Sequence, residues 1–63
     1  MQEQHWYFTW GFGQQYPNCY TKIYGTYNSA RDEMIRRFGE RWAFQYDSPE
    51  DAGVERWDLT EIR

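Results

Sequence analysis

The chain contains 63 residues, with ten acidic and seven basic side chains and a net charge of −3. So short a chain buries only about 60% of the surface that it exposes when unfolded, which allows one compact domain, residues 1–63, and excludes two. No stretch approaches the roughly 18 apolar residues of a membrane span, no leader pattern starts the sequence, and the lone Cys19 offers no internal disulfide. We therefore expect a cytoplasmic protein.

The aromatic side chains dominate the apolar composition, with four tryptophans, six tyrosines and four phenylalanines. The larger aliphatic residues are few, namely Ile23, Ile35, Val54, Leu59 and Ile62. Each aromatic ring can bury roughly 150 to 250 Å², so the rings must supply most of the core. They are also more numerous than one small core requires. We expect the remainder on the surface, at a self-association interface or at a stacking site for a ligand.

Residues 5 to 12 alternate in the manner of a half-buried β-strand. One face would carry Trp6, Phe8, Trp10 and Phe12, and the other His5, Tyr7, Thr9 and Gly11. Pro17 and Asn18 then indicate a turn, and residues 19 to 26 have the composition of a second strand. Together the two segments predict a β-hairpin.

A helix is predicted after Gly25, which closes the second strand. Thr26, Asn28 or Ser29 can cap this helix by accepting a hydrogen bond from its unpaired backbone N–H groups. Apolar residues then recur on one helical face, at Tyr27, Ala30, Met34, Ile35 and Phe38. Gly39 stands where a left-handed residue would end the helix.

Residues 42 to 46 alternate again and predict a third strand. Ser48 then matches a helix N-cap with Pro49 at the first helical position, and Gly53 stops this helix after about one turn. The tail contains four apolar residues, Val54, Trp57, Leu59 and Ile62. It is predicted to be a short edge strand or a packed extended segment.

These elements predict an α+β fold, in which the hairpin and the third strand form a small antiparallel sheet and the helix packs on one sheet face. A right-handed crossover would place the third strand beside the first, in the order 2-1-3. The other sheet face would then be uncovered. Tyr7 and one set of side chains from the second strand would point to that face, where a second subunit or a ligand would meet them.

Catalytic groups are scarce in this sequence. His5 and Cys19 are the only histidine and the only thiol, and no third group is placed to orient them. One histidine and one cysteine do not supply the three or four ligands of a usual zinc site, and the acidic tail lacks the spacing of a calcium loop. We therefore expect no enzyme, no catalytic residue, no metal and no cofactor.

Gly11 and Gly13 admit two interpretations. Their spacing begins like the dinucleotide-binding fingerprint, but Tyr16 occupies the third glycine position and the chain turns into a hairpin instead of a helix. Two glycines can simply end a strand with a bulge or a turn. Alternatively, they allow a ligand or partner to approach the backbone, with Gln14 offering the donor and acceptor groups of its amide.

Aromatic and arginine residues predict a stacking site. The candidate rings are Tyr7, Trp10, Tyr20 and Tyr24, and the candidate cations are Arg31, Arg36 and Arg37. Such rings stack on bases, and the arginine guanidinium group pairs with phosphate. The negative net charge argues against long nucleic acid as the ligand. A small nucleotide needs only two or three arginines and remains compatible with this charge.

An acidic surface is the alternative to the stacking site. Between Asp47 and Glu61 six carboxylates accompany a single basic residue, Arg56. In the ordinary case such a segment is only a solvated surface. In the functional case Asp51, Glu55 and Asp58 would imitate a phosphate backbone and occupy the nucleic-acid groove of another protein.

Five short motifs extend over most of the chain. They are W-Y-F-T-x-G-F-G-Q from Trp6, I-Y-G-T-Y from Ile23, A-R-x-x-M from Ala30, F-G-x-x-W-A-F-Q-Y from Phe38 and A-G-V-E from Ala52. This pattern resembles a group of small proteins encoded by phages and prophages, especially of Firmicutes. Trp10 stands here where those proteins usually have Phe, which is a conservative difference.

The resemblance implies a phage accessory protein, and such proteins often counter host immunity. It brings no catalytic residue to any position of this chain. In the host cytoplasm we expect a homo-oligomer that sequesters a nucleotide second messenger, held between protomers by tyrosine stacking and arginine contacts. The alternatives are an anti-CRISPR-like inhibitor that acts through the acidic surface, and a structural or regulatory phage protein without a role in defence.

Overall fold

A computed structural model describes residues 3–11, 13–14 and 16–62, and it confirms the α+β fold. The elements are β1 (Gln4–Thr9), β2 (Cys19–Gly25), α1 (Tyr27–Phe38), β3 (Phe44–Tyr46), α2 (Pro49–Ala52) and β4 (Thr60–Glu61). The strands lie in the order β3-β1-β2-β4, so the predicted order 2-1-3 is confirmed and β4 is added beside β2. Strand β1 is antiparallel to both of its neighbours, whereas β4 is parallel to β2.

The register of the hairpin fixes which side chains share a face. Phe8 lies opposite Thr21, and Tyr7 lies opposite Lys22. Because directly opposed residues point to the same side of a sheet, Phe8 and Thr21 define a first face and Tyr7 and Lys22 a second. The predicted alternation is confirmed for the described residues, and Phe12 lies outside them. The predicted turn includes Asn18, whose φ of 63° is one that asparagine tolerates better than most residues.

Helix α1 begins and ends where the sequence predicts. Of the three candidate caps, Thr26 is the N-cap, and its side-chain oxygen accepts from the Ser29 backbone N–H at 3.1 Å. The Ser29 hydroxyl in turn accepts from the Thr26 N–H at 2.9 Å, which satisfies a second backbone donor at this end. At the other end the Gly39 N–H donates to the carbonyl oxygen of Ile35.

The core lies between α1 and the first sheet face. Its fully enclosed members are Phe8, Ala30 and Met34, and the cluster also includes Trp10 and Ile23. Aromatic rings close the periphery with edge-to-face contacts: Phe8 with Trp42 at 5.1 Å, and Trp10 with Tyr16 at 5.3 Å and with Phe38 at 5.2 Å. Rings therefore fill the volume that aliphatic residues fill in most domains of this size.

Two predicted positions differ in the structure. Strand β3 begins at Phe44 and not at residue 42, because Trp42 turns its ring against Phe8 and donates its indole N–H to the Gly39 carbonyl at 3.0 Å. Tyr27, predicted on the apolar face of the helix, touches Trp6 with its ring but remains 49% exposed. As the first residue of α1, it lies at the edge of the interface with the sheet.

The second sheet face is partly covered, and the prediction that it would be bare is wrong. Strands β3 and β4 are parallel and lie at opposite edges, so residues 47 to 59 must cross the sheet. The connection from β2 to β3, which contains α1, crosses the sheet in one direction, and the connection from β3 to β4 crosses it in the other. Because connections between parallel strands are right-handed, the second connection must lie on the face opposite α1. In agreement, α2 contacts β1 and β3. Ala52 of α2 is buried, but it does not belong to the core cluster that α1 covers.

We expect Met34→Ala to lower the free energy of unfolding by about 2–5 kcal/mol, because it removes a fully buried side chain and leaves a cavity. Ile35→Ala is the matched control, since Ile35 is the next residue of the same helix but is only half-buried. Its loss should be clearly smaller. Urea denaturation followed by circular dichroism measures both values, and equal losses would contradict the described core.

Candidate ligand-binding surface on the second sheet face

The second sheet face is rich in rings. Its strand residues are His5, Tyr7, Thr9, Tyr20, Lys22, Tyr24, Phe44, Tyr46 and Glu61. Their rings form three neighbouring pairs: His5 with Tyr24 at 5.1 Å, Tyr7 with Tyr20 at 6.2 Å and Phe44 with Tyr46 at 6.0 Å. The sheet therefore gathers six rings on the face opposite α1, and these include three of the four predicted stacking residues.

These rings are unequally exposed. Tyr7, Tyr20 and Tyr46 are half-buried, whereas Tyr24 is 61% exposed and Phe44 64% exposed. Tyr24 and Phe44 lie at opposite ends of the face, on β2 and β3 respectively. The segment that crosses this face, residues 47 to 59, is called the crossing segment. It leaves two separate ring surfaces open to a partner.

Lys22 is the only lysine of the chain, and it lies among the tyrosines of the second face. It is exposed, stands between Tyr20 and Tyr24 on β2, and is directly opposite Tyr7 on β1. The sequence prediction missed this residue, although its spacing of two from each neighbouring tyrosine already places it on their face. We call His5, Lys22 and Tyr24 the Tyr24 corner, where an exposed lysine and an exposed tyrosine share one face of the sheet.

The predicted arginines lie on the other side of the sheet. Arg36 and Arg37 both bind Glu33: Arg36 Nε lies 3.0 Å from Oε1, and Arg37 Nε lies 2.6 Å from Oε2. The guanidinium carbon of Arg31 lies 5.2 Å from the centre of the Trp42 ring. All three arginines belong to α1, which covers the first face. One chain therefore does not bring the tyrosines and these arginines together.

The ion pairs of α1 perturb Glu33 strongly. Hydrogen bonds from Arg36 and then from Arg37 lower the pKa of its carboxyl from the usual 4.5 to about 2, and the pKa of Arg36 is raised by the same contact. Glu33 remains ionised through the whole physiological range and neutralises part of the charge of both arginines. An anionic ligand would have to compete with Glu33 for these two side chains.

Trp10 and the glycine turn have structural roles. Trp10 is only 6% exposed and packs against Tyr16 and Phe38, so its ring is part of the core and offers no stacking surface, contrary to the prediction. Gly11 donates its N–H to the side-chain oxygen of Gln14, and the Gln14 N–H donates to the Gly11 carbonyl at 3.0 Å. Gly13 is exposed and has a φ of 86°. These bonds favour the interpretation that the two glycines end the strand in a turn.

The acidic residues Asp51, Glu55 and Asp58 all lie on the crossing segment. All three are exposed. Within the described part of the chain none of them forms a salt bridge, whereas Glu33 binds two arginines. The crossing segment therefore presents its negative charge to solvent, on the side of the sheet opposite α1.

The only histidine and the only thiol lie on opposite sides of the sheet. His5 is exposed on the second face, whereas Cys19 packs against the core on the first. The sheet itself separates them, so they do not form a nucleophile and base pair. Across residues 3–11, 13–14 and 16–62, no group of three or more histidine, cysteine or acidic side chains is arranged to hold a metal ion. Over the same residues, every helix is too short or too polar to cross a membrane.

A titration of Glu33 tests the arginine arrangement. In the folded chain we expect its carboxyl to titrate near pH 2 instead of 4.5, so the contribution of the ion pairs to stability is complete above pH 4.5 and is lost as the pH falls towards 2. Arg36→Gln should raise this pKa more than Arg37→Gln, since the bond from Arg36 lowers it most. Carbon-13 NMR of the carboxyl group measures all three, and an unshifted value in the unsubstituted chain would refute the pairing.

No protein-family model, no curated protein and no solved structure matches the chain. The Tyr24 corner and the exposed acidic residues of the crossing segment are the two surfaces on which a functional proposal can be built.

Proposed function

We propose that this chain is a non-enzymatic binding protein that captures a small nucleotide at the Tyr24 corner. The observation that carries the proposal is the placement of the single lysine, Lys22, beside the exposed ring of Tyr24 on the second sheet face. An exposed ring and a cation two residues apart on one face offer a partner to each of the two parts of a nucleotide, its base and its phosphate. The half-buried Tyr7 and Tyr20 lie next to the corner on the same face.

The energetics suit a small ligand. A base stacked on an aromatic ring gains roughly 1 to 3 kcal/mol, and an ammonium group adds a charge-assisted bond to phosphate. Since Lys22 is the single cation among the described strand residues of this face, the surface is suited to one or two phosphates and not to a long backbone. The net charge of −3 agrees with this restriction.

The biological setting is proposed from the resemblance to phage proteins. A phage protein that holds a nucleotide second messenger without converting it would deprive a host defence system of its signal. The separation of His5 from Cys19 supports capture over catalysis, because neither residue has the other as a partner for nucleophilic chemistry. Sequestration in the host cytoplasm is thus the function that we propose.

Isothermal titration against cyclic nucleotides and NAD-derived signals tests this proposal. We expect one member of the panel to bind, and Tyr24→Ala to weaken it about 5-fold to 150-fold through the loss of stacking. Tyr24→Phe should retain most of the affinity because it keeps the ring. Lys22→Ala should weaken binding and also reduce its dependence on salt.

Phe44→Ala is the matched control for the titration. Phe44 is as exposed as Tyr24 and lies on the same face, but at the opposite end. Its removal should leave the affinity unchanged. If no member of the panel binds, or if Phe44→Ala and Tyr24→Ala weaken binding equally, the Tyr24 corner is not a nucleotide site.

The second candidate function is inhibition of a host protein through the acidic surface. It is favoured by the exposure of Asp51, Glu55 and Asp58 and by the absence of salt bridges to them within the described residues. Unpaired carboxylates on one segment resemble the charge pattern of a nucleic-acid backbone, and a basic groove would bind them. A structural or regulatory role in the phage is the remaining alternative, and the neighbouring phage genes would distinguish it.

The combined variant Asp51→Asn, Glu55→Gln and Asp58→Asn tests this second function. Asparagine suits the left-handed backbone of Asp58, whose φ is 51°, so the fold should be preserved. In assays with Cas nucleases and other nucleic-acid-cleaving defence effectors, we expect the unsubstituted chain to inhibit one enzyme and the variant to lose that inhibition. Unchanged inhibition by the variant would remove the acidic surface from consideration.

A further inference from the structure

The two edges of the sheet are protected to different degrees. Strand β4 is two residues long and includes the charged Glu61. Strand β3 consists of Phe44, Gln45 and Tyr46, without charge or proline, and in the described part of the chain no strand pairs with its outer edge. Natural sheets usually shield such an edge with a charge, a proline or a bulge, because its free backbone groups can pair with another chain.

Opposite charges flank this unshielded strand. Arg41 lies three residues before Phe44, and Asp47 follows directly after Tyr46. Both side chains are exposed, and neither forms a salt bridge within the described residues. The strand thus has a positive charge before it and a negative charge after it, and both are available to a partner.

We propose that a second copy of this chain pairs with β3 in an antiparallel and symmetric manner, centred on Gln45. Centring the pair on Gln45 sets Phe44 opposite Tyr46 of the second copy, so two aromatic pairs form across the junction. The antiparallel direction also brings Asp47, which follows β3, towards the segment that precedes β3 in the second copy and carries Arg41. The two-fold symmetry repeats each contact, and the charges meet with opposite sign both times.

This pairing joins two four-stranded sheets into one of eight strands. Charge complementarity selects the second copy as occupant, because any other strand would have to supply an acidic and a basic residue at the same spacing. The inference goes beyond the proposed function. It concerns the outer edge of β3, whereas the Tyr24 corner is formed by residues of β1 and β2. Ligand binding and self-pairing are therefore measured separately, and either can fail alone.

Analytical ultracentrifugation over a range of protein concentrations tests the pairing. We expect the unsubstituted chain to reach twice its own mass. Asp47→Arg places arginine against Arg41, and Arg41→Asp places aspartate against Asp47, so each single variant should raise the dissociation constant of the dimer by about tenfold or more. The chain that carries both changes has opposite charges in contact again and should regain the original constant.

Arg56→Asp is the control for an unspecific effect of charge, since Arg56 is exposed and belongs neither to β3 nor to the residues that flank it. It should leave the dissociation constant unchanged, and circular dichroism of every variant should retain the spectrum of the unsubstituted chain. A chain that remains monomeric at every concentration would overturn the inference. So would a double variant that dimerises as weakly as the two single variants.

Discussion

Edge-to-face contacts between aromatic rings hold α1 on the sheet, and the remaining features of the chain follow from that choice of core. Trp10, Tyr16 and Phe38 touch one another in pairs, and Phe8 meets Trp42. Rings pack in a few orientations only, so they fix the position of the helix more narrowly than flexible aliphatic chains would. The chain has only five of the larger aliphatic residues, and with its rings they suffice for one packed layer between α1 and the sheet. The second sheet face is covered only by the crossing segment.

Chain handedness decides on which face the crossing segment lies. The first crossing carries the chain from β2 to β3 over one face, and the return from β3 to β4 runs in the opposite direction. Right-handed connections therefore put the return on the second face. Helix α2 on this segment contacts β1 and β3, where Tyr7 and Tyr46 are half-buried, whereas Tyr24 and Phe44 at the ends of the second face remain exposed.

Much of the fold was predictable from local signals, and most of the candidate site was not. Alternation predicted the strands, Gly39 predicted the end of α1, and Thr26 was one of three candidate caps for its beginning, because these features depend on residues close in sequence. The crossing segment covers the second face because β4 pairs with β2, and no local pattern indicates the pairing of this two-residue strand. The separation of Tyr24 from the arginines of α1 within one chain was not predictable, since residue type says nothing about the sides of a sheet. The prediction did not include Lys22, although its spacing of two residues from Tyr20 and from Tyr24 already indicated that the three share a face.

The pairing of β4 with β2 has a consequence for how the chain becomes ordered. Thr60 donates its N–H to the Asn18 carbonyl at 2.9 Å, and Ile62 donates to that of Tyr20 at 2.8 Å. Contacts between residues so distant in sequence close large loops and slow the search for the native state. A chain emerging from the ribosome can form the hairpin early. It completes its fourth strand, and with it the cover over the second face, only after residue 62 is free.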